Sequence, residues 1–303
     1  MSLELRLYYT NGSSEVCQYI TKLLFKKDCF SPGTELRGRF IRKTDLFSVS
    51  RMTLTVEGHL VHDGYIEYIE NEWQRGAFFI SFVSRSWSSL LSQNEPVPGM
   101  NYHMTLDRLL RVNTPIPHVT CESGTSEVNY ISVKEHSTIW DAVSAYAMKA
   151  YSTQPYISGT NCVSVTRTAG TAREYTRDLI VTYGQSCDRR SMLSKVYMED
   201  VDGHYSISVV NPAAAPLEIV REKYFALDRQ WLASPETGLQ MRIDRAERRA
   251  KVDYARVLGY RGEELFDSFS LILPGQTITG SVGGIELEIE YDRIVTKLLC
   301  MRQ

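Results

Sequence analysis

No CxxC pair occurs among the six cysteines, Cys17, Cys29, Cys121, Cys162, Cys187 and Cys300, so their spacing supports neither a zinc knuckle nor a dithiol redox site. Excess charge is missing too. The 303 residues carry 34 basic and 36 acidic side chains, a net charge of −2, whereas non-specific nucleic-acid binding needs an uncompensated basic surface. No apolar run approaches the roughly 20 residues that span a bilayer, so no membrane insertion is expected. The opening MSLELRLYYTNG alternates and carries Glu4. It reads as a strand closed by a turn at Asn11-Gly12 rather than as an export signal, and without export the thiols are expected to be free and buried. GxSxG, GxxxxGKS/T and a GxGxxG following a strand are all absent, which removes the usual sequence signs of a hydrolase elbow and of nucleotide binding.

What the sequence does have is alternation. In TELRGRFIRK, Leu36, Gly38 and Phe40 face one way and Arg37 and Arg39 the other. RMTLTVEGHLV puts Met52, Leu54 and Val56 on one face, and HDGYIEYIENEW reads as two runs around a turn at Asp63-Gly64. GAFFISFVSRS is the most apolar strand. Short strands with turn signals at this spacing predict a barrel or sandwich. The run stops at SRSWSSLLSQNEPVP, where Trp87, Leu90 and Leu91 have helical spacing and Pro96 ends the turn. MTLDRLLRVN predicts a short helix capped by Thr105, with Leu106, Leu109 and Leu110 on one stripe. TPIPHVTCESGTSE reads as a linker.

The middle of the chain changes period. A strand from Tyr130 to Lys134 precedes a helix capped by Ser137 or Thr138, whose buried stripe is Ile139, Trp140, Val143, Tyr146 and Ala147. A strand returns around Cys162 to Val165. SKVYMED, HYSISVV and EIVREKYF are strands again, with a turn at Asp202-Gly203. One long helix follows, with Ser234 as N-cap, Pro235 at the first helical position and a stripe of Leu239, Ile243, Ala246 and Ala250. KVDYARVLGY, LILPGQTITG and ELEIEYDRIVTKLLC finish the chain as strands, with turns at Pro274-Gly275 and Gly283-Gly284. TVEG and then GYIEYIE near the front are echoed by TITG and then GIELEIE near the end, the trace expected of a duplicated barrel.

His59, His62 and Asp63 would be the members of a metal set, but strand positions three apart point to opposite faces. His103, His118, His136 and His204 have no partner pattern. Glu70 and Glu72 cluster with Asp63 near the supposed hairpin, and Glu286, Glu288, Glu290 and Asp292 line one strand face. Alternate acids on a strand mark a solvated face. RIDRAERRAK, Arg242 to Lys251, includes Asp244 and Glu247 and reads as a solvated helix face with local ion pairs; its functional alternative is a docking surface anchored by arginine. Trp87, Leu90, Leu91 and Trp140 read as core. No catalytic, cofactor-binding or metal-binding residue is assigned, and no cofactor is expected.

Three stretches in succession carry a resemblance: SRSWSSLLSQNEP with its following TLDRLLR helix, the inserted ISVKEHSTIWDAVSAYAMKAY unit, and the terminal order SPETGLQMRIDRAERRAK, KVDYARVLGY, ILPGQTIT. The chain resembles the baseplate hub proteins of contractile phage tails and related tail-like bacteriocins and injection systems, the late-control-D-like hub family. Its middle unit is similar to a LysM module, with ISVKEHSTIWDAVSAYA as the opening and PYISGTNCVSV as the closing strand. It differs where LysM carries Gly-Asp before the helix, since His136 and Ser137 stand there. The resemblance implies a mainly β chain with minor α, in three parts: a first, tube-docking β-barrel at 1–115, a LysM-like αβ domain at 116–168, and a second, related β-barrel at 169–303 holding the helix at about 234–250. It also implies a homotrimer that is a structural part of the baseplate and not an enzyme. Two barrels per subunit would give six similar positions, matching a hexameric tail tube to a trimeric central spike, with other baseplate proteins as neighbours. Such particles assemble in the bacterial host cytoplasm. The other reading is a peptidoglycan-binding or peptidoglycan-cleaving tail protein acting through the LysM-like unit.

Overall fold

The chain alternates at period two over most of its length, and the computed structural model, which describes residues 2–42, 47–112, 115–167, 170–227, 231, 234–291 and 293–301, is accordingly mainly β with minor α. The first third supplies β1 (Leu3–Tyr9), β2 (Ser14–Val16), β3 (Ile20–Asp28), β4 (Thr34–Ile41), β5 (Val49–Val56), β6 (His59–Gln74) and β7 (Ala77–Ser86), then a 3-10 turn over Trp87–Ser92. Next come β8 (Gly99–Met104), α1 (Leu106–Val112), β9 (Thr120–Cys121), β10 (Val128–Val133), α2 (Ile139–Tyr151), β11 (Tyr156–Ser158) and β12 (Cys162–Ser164). The rest is β13 (Ala172–Tyr175), β14 (Ile180–Cys187), β15 (Lys195–Met198), β16 (Ile207–Val210), β17 (Glu222–Phe225), α3 (Pro235–Ala250), β18 (Lys251–Leu258), β19 (Ser268–Leu273), β20 (Gln276–Glu290) and β21 (Arg293–Met301). No helix among the described residues is long and apolar enough to cross a membrane.

Two compact units result, Met1–Thr182 with Ala255–Gln303, and Tyr183–Tyr254. In the second, β15 lies between β16 and β17. Alternation on β15 sends Val196 and Met198 inward, where Leu193 joins them under Leu239, Ile243 and Ala246 of α3. That is the helical stripe expected from the sequence; the side chain of Ala250 lies outside the described residues.

A 13-stranded sheet runs β14-β18-β21-β20-β3-β4-β7-β6-β5-β1-β2, with β19 on β20 and β13 on β19. Five strands recur in it. β3, β4, β5, β6 and β7 stand in the spatial order β3-β4-β7-β6-β5, and β14, β18, β19, β20 and β21 stand in the order β14-β18-β21-β20-β19. Chain order and spatial order therefore both repeat. The first copy closes its β3–β4 hairpin in five residues, Cys29–Gly33, whereas the second puts the whole segment from Asp188 to Ala250 between β14 and β18. The flanking strands do not repeat, since β1 pairs β5 antiparallel and β13 pairs β19 parallel. Neither copy closes into a separate ring among the described pairings, because β3 uses its second edge to bond β20, from Asp28 opposite Gly284 to Lys22 opposite Glu290.

Two supposed turns are not turns. Asp63-Gly64 lies inside the 16-residue β6, and Gly283-Gly284 lies inside the 15-residue β20. At Gly64 a Cβ would stand 2.0 Å from the Arg85 carbonyl oxygen, so glycine is there for close backbone approach. At Gly283 the β20–β21 register shifts, which marks a bulge. The actual β5–β6 turn is Glu57-Gly58, both with positive φ. TVEG therefore ends β5 while TITG sits within β20; only GYIEYIE and GIELEIE occupy matching places.

The serine-rich segment after β7 ends in a buried polar network. His62 Nε2 lies 2.9 Å from Ser84 Oγ, which donates to the Tyr65 carbonyl at 2.8 Å. The Ser84 proton being so engaged, Nε2 must be the donor to Ser84, and Nδ1 accepts from Thr34 Oγ1 at 2.8 Å. Thr34 N–H in turn donates to Ser86 Oγ at 2.8 Å, and Ser86 Oγ meets Ser88 Oγ at 2.9 Å. Ser88 N–H donates to Asn161 Oδ1 at 3.0 Å, and Asn161 Nδ2 donates to the Asp63 carbonyl at 3.0 Å. The Trp87–Ser92 turn is thereby fixed to β4, β6 and the β11–β12 connection, and Leu91 enters the core built by α1, α2, β10 and β12. Of the expected core stripe only Leu91 is buried, together with Ser88 and Ser89, while Trp87 and Leu90 are half-buried; serines do as much of the fixing as the apolar residues.

Thr138 caps α2 with a full capping box to Asp141, and Ile139, Trp140, Val143, Tyr146 and Ala147 are all buried. Thr105 Oγ1 likewise accepts from Arg108 N–H at 3.2 Å at the start of α1. The stretch read as a linker contributes β9, which pairs parallel to β12.

Two measurements test this packing. Gly64→Ala forces a side chain into the β7 backbone and is expected to cost about 3 kcal/mol in urea unfolding. Gly58→Ala, at φ 81 with open space around it, costs only about 1 kcal/mol; equal costs would contradict the close approach. Burial pushes the His62 imidazole down to about 3, against a weaker opposing pull from the Asp63 charge. The unfolded chain takes up this proton near 6.5 and the folded chain does not until about 3. The His62 contribution is thus complete above 6.5 and falls as pH drops through that window, by about 1.4 kcal/mol per pH unit. Unfolding midpoints of His62→Gln should lose this component of the slope; a variant as steep as the parent would disprove the neutral assignment.

Candidate assembly surfaces

The residue types that could carry chemistry are dispersed. His62 is interior and His59 is exposed, with its ring edge-on to Tyr260 at 5.9 Å. The register shift in β6 sets them opposite Leu54 and Val56, two positions on one face of β5, so the expected opposition of faces does not hold. Arg51 holds Asp63 with two hydrogen bonds, at 2.7 and 2.9 Å, and Trp87 Nε1 donates to the same carboxylate at 3.4 Å. Glu72 pairs with Arg39 at 3.0 Å, Glu286 with Lys297 at 3.1 Å, and Lys22 lies between Glu288 and Glu290. Asp292 lies outside the described residues. Among the described residues no three His, Cys, Asp or Glu side chains converge as a metal set. His103 meets Glu127 at 2.8 Å, and His118 packs on Trp87.

No disulfide joins the cysteines among the described residues. Cys17, Cys29 and Cys300 are buried, and burial pushes the Cys17 thiol up to about 12. Cys121 and Cys162 are half-buried, and Cys187 on β14 is exposed, against the expectation of burial. On α3, Arg242 lies over the Phe225 ring at 4.5 Å and donates to the Gly238 carbonyl at 3.1 Å, and Gln240 donates to Asp244. The arginine run thus includes local partners; the Lys251 side chain lies outside the described residues. Trp140 and Tyr156, the aromatics a sugar site in the middle unit would use, are 6% and 7% exposed. Strand β10 pairs with β8, while β12 pairs with β11 and β9, so the opening and closing strands of that unit lie in different sheets.

What stands open is strand edge and aromatic surface. β5 pairs with β6 only as far as Tyr65, so from Ile66 to Gln74 β6 has β7 as its one partner among the described pairings. Tyr68, Trp73 and Phe78 on this hairpin are 52%, 64% and 47% exposed. β14 ends the sheet and, among the described pairings, has only β18 beside it. In the second unit Tyr197 stacks on Tyr224 at 4.5 Å between ring centres, with Tyr205 edge-on at 5.3 Å. Sequence reading missed these surfaces. The available signal was Trp73 in NEWQR, a tryptophan with no apolar residue two positions away on either side.

No protein-family model matches the chain, and no curated protein matches it in sequence. Solved structures do match in fold. The tail protein from Neisseria meningitidis aligns over 100% of this chain and 97% of its own, at 14% identity and a TM-score of 0.73. The 43 kDa tail protein of prophage MuSo2 from Shewanella oneidensis aligns over 99% and 98%, at 14% identity and 0.69. An E. coli component of the type VI secretion system, described as structurally similar to the bacteriophage T4 tail proteins gp27 and gp5, aligns over 100% and 77%, at 8% identity and 0.60. End to end, the chain has the β-rich fold of phage tail proteins.

Proposed function

We propose that the chain is a structural baseplate hub of a contractile tail or tail-like injection particle. Three copies form a ring that joins the hexameric tail tube on one side to the trimeric central spike on the other. The observation that carries this reading is the recurrence of five strands in one chain and spatial order. Two like modules in each of three subunits offer six like positions, so a six-membered tube ring meets near-equal surfaces. The fold shared with phage tail proteins, and with a secretion component likened to gp27 and gp5, supports the placement.

On this reading residues 1–115 hold the first, tube-docking module, 116–168 the LysM-like unit and 169–303 the second module with its long insertion. The middle unit is structural: Trp140 lies in its own core, and Tyr156 packs against Cys29, Leu265 and Phe266, so both aromatics are engaged in packing rather than offered to a glycan. The hub has no catalytic task, works with the tube, the spike and further baseplate proteins as partners, and assembles in the cytoplasm of the bacterial host before joining the particle. Light scattering and electron microscopy of the purified chain, alone and mixed with tube and spike proteins, are expected to give a trimer with a central hole. Monomers under every condition would refute the proposal.

A further inference from the structure

The strands that correspond to the two sides of the internal β3–β20 junction each keep an edge with no partner among the described pairings. In the strand correspondence, β14 stands for β3 and β6 for β20. β3 bonds β4 on one edge and β20 on the other; β14 bonds β18 on one edge and nothing described on the other. β20 is shared: its first part, through Ser281, bonds β19, and its second part, from Gly284 to Glu290, bonds β3. β6 is divided in the same way. Its first part, through Tyr65, bonds β5, and the same edge of its second part, Ile66 to Gln74, has no partner among the described pairings. The direction of β14 also agrees. Leu258 N–H donates to the Leu179 carbonyl at 2.8 Å and Gly184 faces Tyr254, so β14 runs antiparallel to β18 as β3 does to β4.

We infer that the free edge of β14 in one copy pairs antiparallel with the Ile66–Gln74 edge of β6 in the next, repeating between subunits the β3–β20 junction within one. The inference rests on the ring reading and adds the surface by which the ring closes. The contact is head-to-tail, with different strands from the two copies. Such contacts give a closed ring when the rotation closes. Main-chain hydrogen bonds supply the pairing, and both exposed edges, each otherwise a template for aggregation, are covered at once.

Antiparallel pairing puts the end of β14, Cys187, beside the start of the open β6 segment. This follows the register in which Asp28, the last residue of β3, lies opposite Gly284. Cys187 is an exposed free thiol and serves as the reporter. Glu67→Cys and Tyr68→Cys place a second thiol near that point, both on the face of Arg85 and Val83 because the β6–β7 register shifts between Ile66 and Tyr68; Gln74→Cys places it roughly 20 Å further along the strand. A disulfide needs Cα atoms within about 7 Å. With tube and spike proteins present, mild oxidation of Glu67→Cys or Tyr68→Cys should give covalent dimers and trimers on a denaturing gel, at least about tenfold more than Gln74→Cys. Adding Cys187→Ser should abolish them. Unfolding midpoints near that of the parent confirm that the variants fold. A trimer by light scattering in which neither position 67 nor 68 links to Cys187 overturns this junction and leaves the ring reading standing; monomers only overturn both.

Discussion

Seven facing residue pairs between β3 and the second part of β20 make one sheet out of two strand sets that are far apart in sequence. Lys27, on β3, is almost fully buried at this seam. Its ammonium donates to the Gly159 carbonyl at 2.7 Å and pairs with Glu264. One side chain thus ties the first module to the β11–β12 connection and to the segment leading into β19. A buried ammonium is costly without such partners, so the seam is fixed in one register rather than free to slide. At its outer end Lys22 does the same more weakly against Glu288 and Glu290, in solvent. The acidic stripe of GIELEIE, which read as a solvated face, is therefore partly a partner for lysines, Lys22 from the other end of the chain and Lys297 from the adjacent β21.

Local features were legible and long-range ones were not. The α2 stripe from Ile139 to Ala147 and its Thr138 cap were readable because a helix makes its bonds within four residues. Most strands were readable for a similar reason, since alternation is a property of the strand itself. Glycines misled, because Asp63-Gly64 and Gly283-Gly284 look like turns and are close-approach and bulge positions inside long strands. Whether a glycine serves a turn or an approaching backbone depends on what packs against it. The polar network around His62 was illegible for the same reason. Its members Thr34, His62, Ser84, Ser86 and Asn161 are spread over more than a hundred residues, and each alone is an ordinary surface type.

That network bears on how the middle unit is held. An unmade hydrogen bond in a buried site costs about 1–3 kcal/mol, so a chain of polar groups is stable there only when every member finds its partner. Asn161 is the decisive member. Its amide joins the backbone of Ser88 to the carbonyl of Asp63, and both ends of the amide are used. Apolar packing of Leu91 against α1 and α2 would tolerate small shifts; an amide bridging two backbones at 3.0 Å does not. The orientation of the middle unit on the first module is thus set by polar geometry, and its stability by the apolar core.

The two misread glycine sites gain a joint meaning from the repeated strand order. Gly64 and Gly284 fall where β6 and β20 pass from one lateral neighbour to another: β5 pairing stops at Tyr65 and β19 pairing stops at Ser281. A strand that changes neighbours must bend, and a residue without a side chain, or a bulge, permits the twist. If the repeat were only a resemblance between alternating sequences, nothing would place such a residue at the same point in both. The coincidence is explained when both long strands do the same work, bonding their own module with the first half and a neighbouring module with the second. In β20 the neighbour is β3 of the same chain. In β6 the second half has no such neighbour among the described pairings, and that is the edge the proposed ring would fill.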